Sequence, residues 1–446
     1  MIGFLTALLL AGLIFLVSLQ RPQWGLLIVA TLVPFHGLLL IAPVTASWWK
    51  EAAVLAVVAG ALFAPRERDR VAVLPWLRPA LVLVAVGSAS AFLVLGEQAA
   101  FPIKIAFFYI IPAVVIYCHP FTRADKDLLV TLLLSTGAIT AAYGLWQQII
   151  GGWALADLGY EWNEAIRHAG PLLRSFGTFN QPFPFAFFLM LVLVVGFAAA
   201  MAQPRRFRSK LYWWLSPFLL AAMLSSVVRA AMVGLVVALI VLGIVLYRRL
   251  LALLAVLAGI VAMLLPLALL LDPGGAVSTL FSATSLEDRG GHWSDRLPEM
   301  LVQPFGTGLG TTGSAAERLH NWGSPVAAAY QPDNQYLKIG LELGIPGVVL
   351  YAVVVIIAAV VLIRLIGVHT DALEQAITAA ALAMTLAACV AGFFSTYLEI
   401  FPLDFYFWFL LAVGASVPAS AKAQVVFWQK SPEILKTNES EKVDDH

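Results

Sequence analysis

Long apolar runs constrain this chain more than any other feature of its sequence. A membrane-spanning helix needs about 20 mostly apolar residues, and thirteen segments approach that pattern. They lie near 2–19, 24–45, 52–64, 77–95, 101–118, 128–150, 182–203, 211–228, 230–247, 250–271, 343–366, 375–396 and 400–417. Composition agrees, since 61% of the 446 residues are hydrophobic and 12% are charged, against about 25% charged in soluble domains. The sequence predicts an all-α integral membrane protein.

The basic clusters predict the orientation of these helices. Loops rich in Lys and Arg usually stay in the cytoplasm, and the strongest clusters lie at 65–70, 205–210 and 248–249. An even number of candidate spans separates each cluster from the next, so all three can share the cytoplasmic side. The first segment lacks the basic start of a signal peptide and is predicted to be a retained span. We expect about twelve spans, or thirteen if the short segment 52–64 also crosses.

The chain divides into four parts. Residues 1–271 hold transmembrane helices with an outer loop near 151–181, 272–342 form a long outer loop, 343–417 hold the last membrane helices, and 418–446 are predicted to be a disordered cytoplasmic tail. Long loops in compact proteins are usually functional. The long loop mixes carboxylates, arginines, histidines and tryptophans, which suits sugar recognition and also an aromatic belt at the membrane surface. Composition alone favours the belt.

Arg229 stands between two apolar runs in SSVVRAAMVGL (225–235). By the predicted orientation it lies at the outer edge of the membrane, where a charge is costly unless it pairs, snorkels or lines a wet cavity. One interpretation is a snorkelling interface arginine. The other is an anion site, because the planar guanidinium binds phosphate through two parallel hydrogen bonds.

Arg174 and Asn180 belong to RSFGTFNQP (174–182), which precedes an apolar segment beginning at Pro182. Proline is favoured in the first turn of a helix, so an ordinary transition from loop to helix explains this pattern. The functional interpretation places the Arg174 side chain and the amides of the helix start near the same outer surface as Arg229.

The long loop also carries DRGGHWSDRL (288–297), with Arg289 and Arg296 on either side of a His-Trp pair. The GTGLGT stretch that follows at 306–311 lacks the spacing and the preceding strand of a phosphate-binding loop. We interpret it as a flexible turn. The outer loops show no His/Cys cluster or carboxylate pair with metal-site spacing.

Asp333 precedes the helix-like stretch NQYLKIGLEL, which Gly344 and Pro346 are expected to end. Aspartate is a favoured N-cap residue, so Asp333 can be explained by helix capping alone. The capping box is incomplete, because Tyr336 stands where Glu or Gln is expected. The alternative places Asp333 in an active site at the membrane surface, and the two interpretations are compatible.

These stretches occur in a recognisable order: RSFGTFNQP, SSVVRAAMVGL, DRGGHWSDRL with QPFGTGLG, and DNQYLKIGLELGIPG. Together with the long loop before the last spans, they resemble the O-antigen ligase and polymerase superfamily of bacterial envelope proteins. The resemblance covers most of the chain and is strongest over 174–350.

The resemblance implies a multi-span, metal-independent, inverting glycosyltransferase of the GT-C type in the bacterial inner membrane, with its active site on the periplasmic face. It implies that Arg229 and Arg289 hold the diphosphate of an undecaprenyl-linked donor. Ligases of the family carry His-Asn or His-Ser where this sequence has Asp333-Asn334, and His320 lies too far upstream to replace that histidine. This departure favours a polymerase, or a ligase for an acceptor other than lipid A core.

The chemistry of such a transfer assigns the candidate roles. Arginines can stabilise a leaving diphosphate without a metal, and a carboxylate can accept the proton of the attacking hydroxyl. The catalytic candidates are Asp333, Arg229 and Arg289. The substrate-binding candidates are Arg174, Asn180, His320, Asn334 and Tyr336.

The expected partners are an undecaprenyl-diphosphate-linked oligosaccharide donor, a glycan or glycolipid acceptor, the lipid bilayer and other polysaccharide-assembly membrane proteins. No nucleic acid, metal or cofactor is expected. A transporter or flippase of lipid-linked saccharide is the main alternative, since such proteins also carry intramembrane charges. The sequence shows no inverted repeat or matched pair of broken helices in its favour. A structural protein of envelope assembly is a third reading.

Overall fold

The computed structural model of the chain describes residues 2–67, 69–271, 284–322 and 330–420, with the backbone alone over 284–292. Its α-helices are α1 (Ile2–Gln20), α2 (Pro22–Leu32), α3 (Trp49–Phe63), α4 (Leu77–Leu95), α5 (Ala100–Phe107), α6 (Ile111–Cys118), α7 (Arg123–Asp157), α8 (Pro182–Ala202), α9 (Phe207–Ser225), α10 (Arg229–Val245), α11 (Arg248–Leu271), α12 (Thr284–Val302), α13 (Gly313–Asn321), α14 (Gln335–Val368), α15 (Ala372–Ala391) and α16 (Leu403–Gly414). Short 3₁₀ turns cover Val33–Leu40, Gly96–Ala99, Phe108–Ile110 and Tyr397–Glu399. The predicted disordered tail lies, from 421 onward, outside the described residues.

Two small antiparallel pairs complete the described secondary structure. Strand β1 (Arg70–Ala72) pairs with β4 (Ser416–Pro418), and β2 (His168–Ala169) pairs with β3 (Leu172–Leu173). The first pair ties the segment before α4 to the segment after α16. The second forms a hairpin in the predicted outer loop.

The helices confirm an all-α membrane protein. Eight helical segments of the described chain are long and apolar enough to cross a membrane, and α10 and α16 are shorter apolar helices. One of the eight, Leu77–Cys118, is 42 residues long; at 1.5 Å per residue this is enough for two passes through a core about 30 Å thick. Each of the thirteen candidate spans falls on helix. The number of crossings stays a prediction.

Contacts gather the basic clusters at one end of the helices, which we call the basic end. There β1 pairs with β4, Arg70 forms a 2.8 Å ion pair with Glu374, and Arg206 forms one of 2.8 Å with Asp127. The stretches predicted to be outside contact one another, as Arg174 does with the Ser226 carbonyl, and we call their side of the bundle the opposite end. The pattern agrees with the predicted orientation.

The centre of the bundle is built from α8, α15 and α16. Most residues of α8 are buried, including an unbroken run from Phe185 to Val195, and every residue of α16 from Leu403 to Gly414 is buried. Helices α1 and α11 have mostly exposed apolar side chains instead. A helix that is apolar on all sides and exposed is expected to face lipid, whereas the buried helices α8, α15 and α16 form the core of the bundle.

Candidate active site

Helix α14 is broken at Gly344, whose backbone (φ 68°, ψ −167°) leaves the helical region. Two residues later Pro346 has no N–H, so the carbonyl of Glu342 has no helical donor. The loop 303–313 supplies one, because the N–H of Gly308 donates to that carbonyl at 2.8 Å. The break expected at Gly344 is therefore present, but the helix resumes after it and continues to Val368.

The same loop is fixed by its glycines. Four of them have positive φ angles: Gly306 (75°), Gly308 (107°), Gly310 (89°) and Gly313 (80°). A Cβ on Gly308 would lie 2.6 Å from Cγ2 of Val94, and one on Gly310 would lie 2.6 Å from the Pro102 ring. Only glycine fits such positions without strain. The stretch is thus held by hydrogen bonds and close packing, where the sequence predicts a flexible turn.

A buried ionic cluster anchors the loop to α14. The Lys338 ammonium lies 2.7 Å from Glu342 Oε2 and also contacts Glu399 Oε1, and all three side chains are at most 3% exposed. The other oxygen of Glu342 accepts hydrogen bonds from the N–H groups of Gly310 (3.0 Å) and Thr312 (3.1 Å). The ionic cluster was not among the predicted site residues, although the i, i+4 spacing of Lys338 and Glu342 is a signal for such a pair.

The loop that carries Arg174 is pinned by a buried amide on α7. The Gln147 side chain donates to the Gly177 carbonyl at 3.0 Å and accepts from the N–H groups of Phe176 (3.1 Å) and Gly177 (2.9 Å). Arg174 in turn donates from Nε to the carbonyl of Ser226 at 3.1 Å. Two stretches that the sequence analysis singled out, RSFGTFNQP and SSVVRAAMVGL, therefore meet at the opposite end.

The turn between α9 and α10 has an unfavourable backbone. Val227 has a φ of 55°, which is rare for a β-branched residue. It is held there by its N–H, which donates to the Leu224 carbonyl at 3.0 Å, and by the Ser226 hydroxyl, which accepts from the Val228 N–H at 3.2 Å. Strained backbone of this kind clusters at functional sites. Here it fixes the start of α10, whose first residue is Arg229.

A polar cavity of about 620 Å³ lies among these loops, and we call it the main cavity. It brings together three of the predicted site residues, Arg174, Asn180 and Asp333. Its lining also contains charged side chains that the sequence analysis did not assign to the site: Lys50, Glu51, Lys104, Arg167, Glu317, Arg318, Glu399 and Asp404. These come from α3, α5, the loop before β2, α13, the last 3₁₀ turn and the start of α16, which are distant in sequence.

One wall of the main cavity is formed by the start of α3. Lys50 Nζ lies 3.3 Å from Nε2 of His36 and 4.2 Å from the centre of the Phe401 ring. Glu51, the next residue, forms a 3.0 Å ion pair with Lys104. Cations, carboxylates and aromatic rings thus share one space. Such a site can bind a ligand that has both an anionic group and sugar hydroxyls.

Other predicted site residues lie around the main cavity without lining it. Arg229 is half-buried at the first turn of α10. His320 is exposed in the last turn of α13, the helix whose residues Glu317 and Arg318 do line the cavity. Arg289 falls within the backbone range of α12, but its side chain lies outside the described part of the structure. Their predicted roles stay predictions.

The N-cap of α14 is Asn334, so the interpretation of Asp333 as that cap is wrong. The Asn334 side chain accepts hydrogen bonds from the N–H groups of Tyr336 (2.9 Å) and Leu337 (3.0 Å). The Tyr336 hydroxyl donates to the Cys389 carbonyl at 2.7 Å. Both side chains therefore have local structural contacts, and their predicted binding of substrate stays a prediction. Asp333 itself is exposed and lines the main cavity.

The fold and this site define a multi-pass α-helical membrane protein with a charged cavity at one end of its helices. Residues 214–352 match the family model described as O-Antigen ligase. The resemblance to the O-antigen ligase and polymerase superfamily is thereby confirmed, and the match supports a membrane enzyme that ligates or polymerises glycans. No curated protein matches the chain. The matched segment includes Arg229, the loop 303–313 and Asp333.

Proposed function

We propose that the protein is a metal-independent, inverting glycosyltransferase that moves a glycan from undecaprenyl diphosphate to a sugar hydroxyl, and so polymerises or ligates cell-surface polysaccharide. The main cavity supports this most directly. Arg174 and Asp333 both line this cavity. Arg174 also contacts the turn that precedes Arg229. A cation for the leaving group and a carboxylate for the acceptor are the two groups that this transfer needs.

The arginines bind and stabilise the diphosphate. As the bond between the anomeric carbon and the diphosphate oxygen breaks, negative charge develops on that oxygen. Arg174, Arg229 and Arg289 neutralise it, and each guanidinium can make two parallel hydrogen bonds to phosphate oxygens. Undecaprenyl diphosphate then leaves with its lipid tail in the bilayer.

Asp333 acts as the base or positions the acceptor. Its carboxylate accepts the proton of the attacking hydroxyl while the new bond forms between that oxygen and the anomeric carbon. A single displacement, with the attacking oxygen opposite the leaving group, inverts the configuration at that carbon. The exposed position of Asp333 at the cavity wall suits a base that an incoming hydroxyl must reach.

The place of Asp333 in the sequence bears on the acceptor. Ligases of the family carry histidine in this region, whereas this chain has Asp333-Asn334. The departure supports polymerisation of lipid-linked units, or ligation to an acceptor other than lipid A core. The active site lies on the periplasmic face of the inner membrane, opposite the basic end that the charge pattern assigns to the cytoplasm.

The test uses the purified full-length protein in detergent with EDTA and lipid-linked oligosaccharide from cells that lack the protein. The proposal expects longer lipid-linked chains, or glycan joined to an added acceptor, although no membrane gradient is present. Product that forms only with a divalent metal would contradict metal independence. A protein that moves lipid-linked saccharide across vesicles but makes no new glycosidic bond would be a transporter instead.

A further inference from the structure

A second cavity of about 530 Å³ lies beside the main one, and we call it the side cavity. The two cavities share a wall. Thr312 and Tyr330 line the side cavity, whereas the nearby residues Ser314 and Gln331 line the main cavity. The wall is held together by the Gly313 N–H, which donates to the Tyr330 carbonyl at 2.8 Å. A ligand in the side cavity would therefore sit next to the proposed reaction site.

The buried hydroxyl of Thr312 is evidence for a bound ligand. Thr312 is the N-cap residue of α13, yet its hydroxyl makes no capping hydrogen bond. It is 9% exposed, and its Oγ1 has no hydrogen-bond partner among the described residues. A buried hydroxyl without a partner destabilises the folded state, so such groups in folded proteins call for an explanation. A hydroxyl bound in the side cavity would supply the missing partner.

The other walls show what kind of ligand fits. Arg296 lies 4.6 Å from the centre of the Tyr330 ring and forms a 2.6 Å ion pair with Glu299, so its charge is already balanced. The hydroxyls of Thr307 and Thr311, on the same loop as Thr312, lie 2.5 Å apart. An aromatic ring, several hydroxyls and a neutral charge balance suit an uncharged sugar better than a phosphate.

We infer that the side cavity binds an uncharged sugar unit of the glycan substrate, one that does not itself react. The inference rests on the proposed function for the identity of the substrate, and it deepens that function by adding a specificity site. Thr312 would hydrogen-bond a sugar hydroxyl, and the Tyr330 ring would pack against the apolar face of the sugar. A site that hydrogen-bonds a substrate hydroxyl discriminates strongly against sugars that lack it.

The test compares two buried threonines in the purified full-length protein, one in the side cavity and one outside it. The probe is the oligosaccharide repeat released by mild acid from the cells' own lipid-linked pool, with binding measured by calorimetry. Thr312→Val removes the unpartnered hydroxyl and keeps the side-chain shape. We expect about tenfold weaker binding of the repeat, the effect of one lost hydrogen bond, and an unchanged or higher melting temperature.

Thr378→Val, on helix α15 and outside both cavities, is the matched structural control. Its buried hydroxyl donates to the Gly414 carbonyl at 2.7 Å, so its loss should lower the melting temperature and leave binding of the repeat unchanged. Tyr330→Ala should weaken binding of the repeat, whereas Tyr330→Phe, which keeps the ring, should largely retain it. Thr312→Val protein that binds the repeat as the wild type does would overturn the inference, because a water molecule would then satisfy Thr312. Wild-type protein that binds no repeat would overturn it as well.

Inorganic pyrophosphate separates this inference from the proposed function. Its binding probes the cations of the main cavity and should be unaffected by Thr312→Val. If the repeat binds through Thr312 but pyrophosphate does not bind at all, the diphosphate-dependent function fails while the sugar site stands. If pyrophosphate binds and the repeat does not, the sugar site fails alone.

Discussion

Asp333 lines the main cavity one residue before the helix cap, so its carboxylate can be changed without removing that cap. Asp333→Asn keeps the size of the side chain but cannot accept a proton. If Asp333 is the base, lipid-linked glycans should change in cells that carry the variant. Single repeat units should accumulate if the protein is a polymerase. Full-length chains should remain on undecaprenyl diphosphate if it is a ligase.

The level of the variant in the membrane must be measured in parallel, since a loss of protein would give the same glycan profile. Asn334→Ala is the matched variant for stability, because it removes the side chain that caps α14 and should cost about 1 kcal/mol. An unchanged glycan profile in Asp333→Asn cells at normal protein level would rule Asp333 out as the base.

Arg174 gives a second prediction at this scale. Its Nε donates to the Ser226 carbonyl at 3.1 Å, and its side chain lines the main cavity, where the proposed function has its guanidinium bind the diphosphate. Lysine cannot make both interactions. Arg174→Lys should therefore lower kcat/KM about 100-fold, a loss of roughly 3 kcal/mol in transition-state stabilisation.

Arg249→Lys is the control for the Arg174 variant. Arg249 is exposed in the basic cluster at the start of α11, and its substitution should leave kcat/KM unchanged. An Arg174→Lys enzyme with wild-type kinetics would mean that Arg174 serves only to join its loop to the turn at Ser226.

The sequence predicts part of this site and misses the rest for a physical reason. Arg174, Asn180 and Asp333 stand in polar loops that border predicted membrane spans, so the sequence marks them as site candidates. All three line the main cavity. Lys50 and Asp404 stand at the ends of apolar helices and become neighbours of those residues only through folding. The capping interpretation of Asp333 is wrong by one residue, because Asp and Asn are both good caps and the sequence pattern does not separate them.

At the scale of elements, the break in α14 and the loop 303–313 form one unit. The loop donates hydrogen bonds to the carbonyl and carboxylate of Glu342, and Lys338 holds that carboxylate from the other side. Removal of one partner from a buried ion pair leaves an uncompensated charge. Lys338→Met should thus lower the free energy of unfolding by about 3–5 kcal/mol, measured as a lower melting temperature in detergent.

Lys210→Met serves as the comparison, since Lys210 is exposed in the first turn of α9 and surface changes usually stay within about 0.5 kcal/mol. A Lys338→Met protein as stable as the wild type would show that the cluster contributes little to the fold.

The sequence anticipated the break in α14 but not its consequence. Gly344 and Pro346 predict the end of a helix, and the backbone does leave the helical region at Gly344. Proline is equally well suited to the first turn of a new helix, so the chain resumes and runs on to Val368. The freed carbonyls need donors, and only the three-dimensional structure shows that the 303–313 loop provides them.

At the scale of the whole molecule, the positions of the first and last helices constrain the number of membrane crossings. The Gly3 carbonyl accepts a hydrogen bond from the Ala46 N–H at 2.8 Å, close in sequence to Lys50 at the main cavity. Strand β4, at 416–418, lies at the basic end. A first helix that starts at one end and a last helix that finishes at the other require an odd number of crossings. This requirement favours thirteen membrane spans over twelve.

The deciding element is α3, whose 15 residues span about 22 Å at 1.5 Å per residue, less than the roughly 30 Å of a typical hydrocarbon core. Its first turn lines the main cavity through Lys50. Near its other end, the Ala61 carbonyl lies 3.0 Å from Nε2 of His119, the residue that follows α6. The helix therefore connects the two ends of the bundle. Because its polar first turn extends into the main cavity, only the remaining apolar stretch has to cross the hydrocarbon core.

Single cysteines on either side of α3 test whether this helix crosses the membrane. Val44 and Glu67 are both exposed, and each is replaced by cysteine in a background where Cys118 and Cys389 are serine. A maleimide that cannot cross the inner membrane should label Val44→Cys in cells with a permeabilised outer membrane. It should label Glu67→Cys only after the inner membrane is broken. Equal labelling of both from the same side would mean that 52–64 does not cross, and the twelve-span count would then be correct.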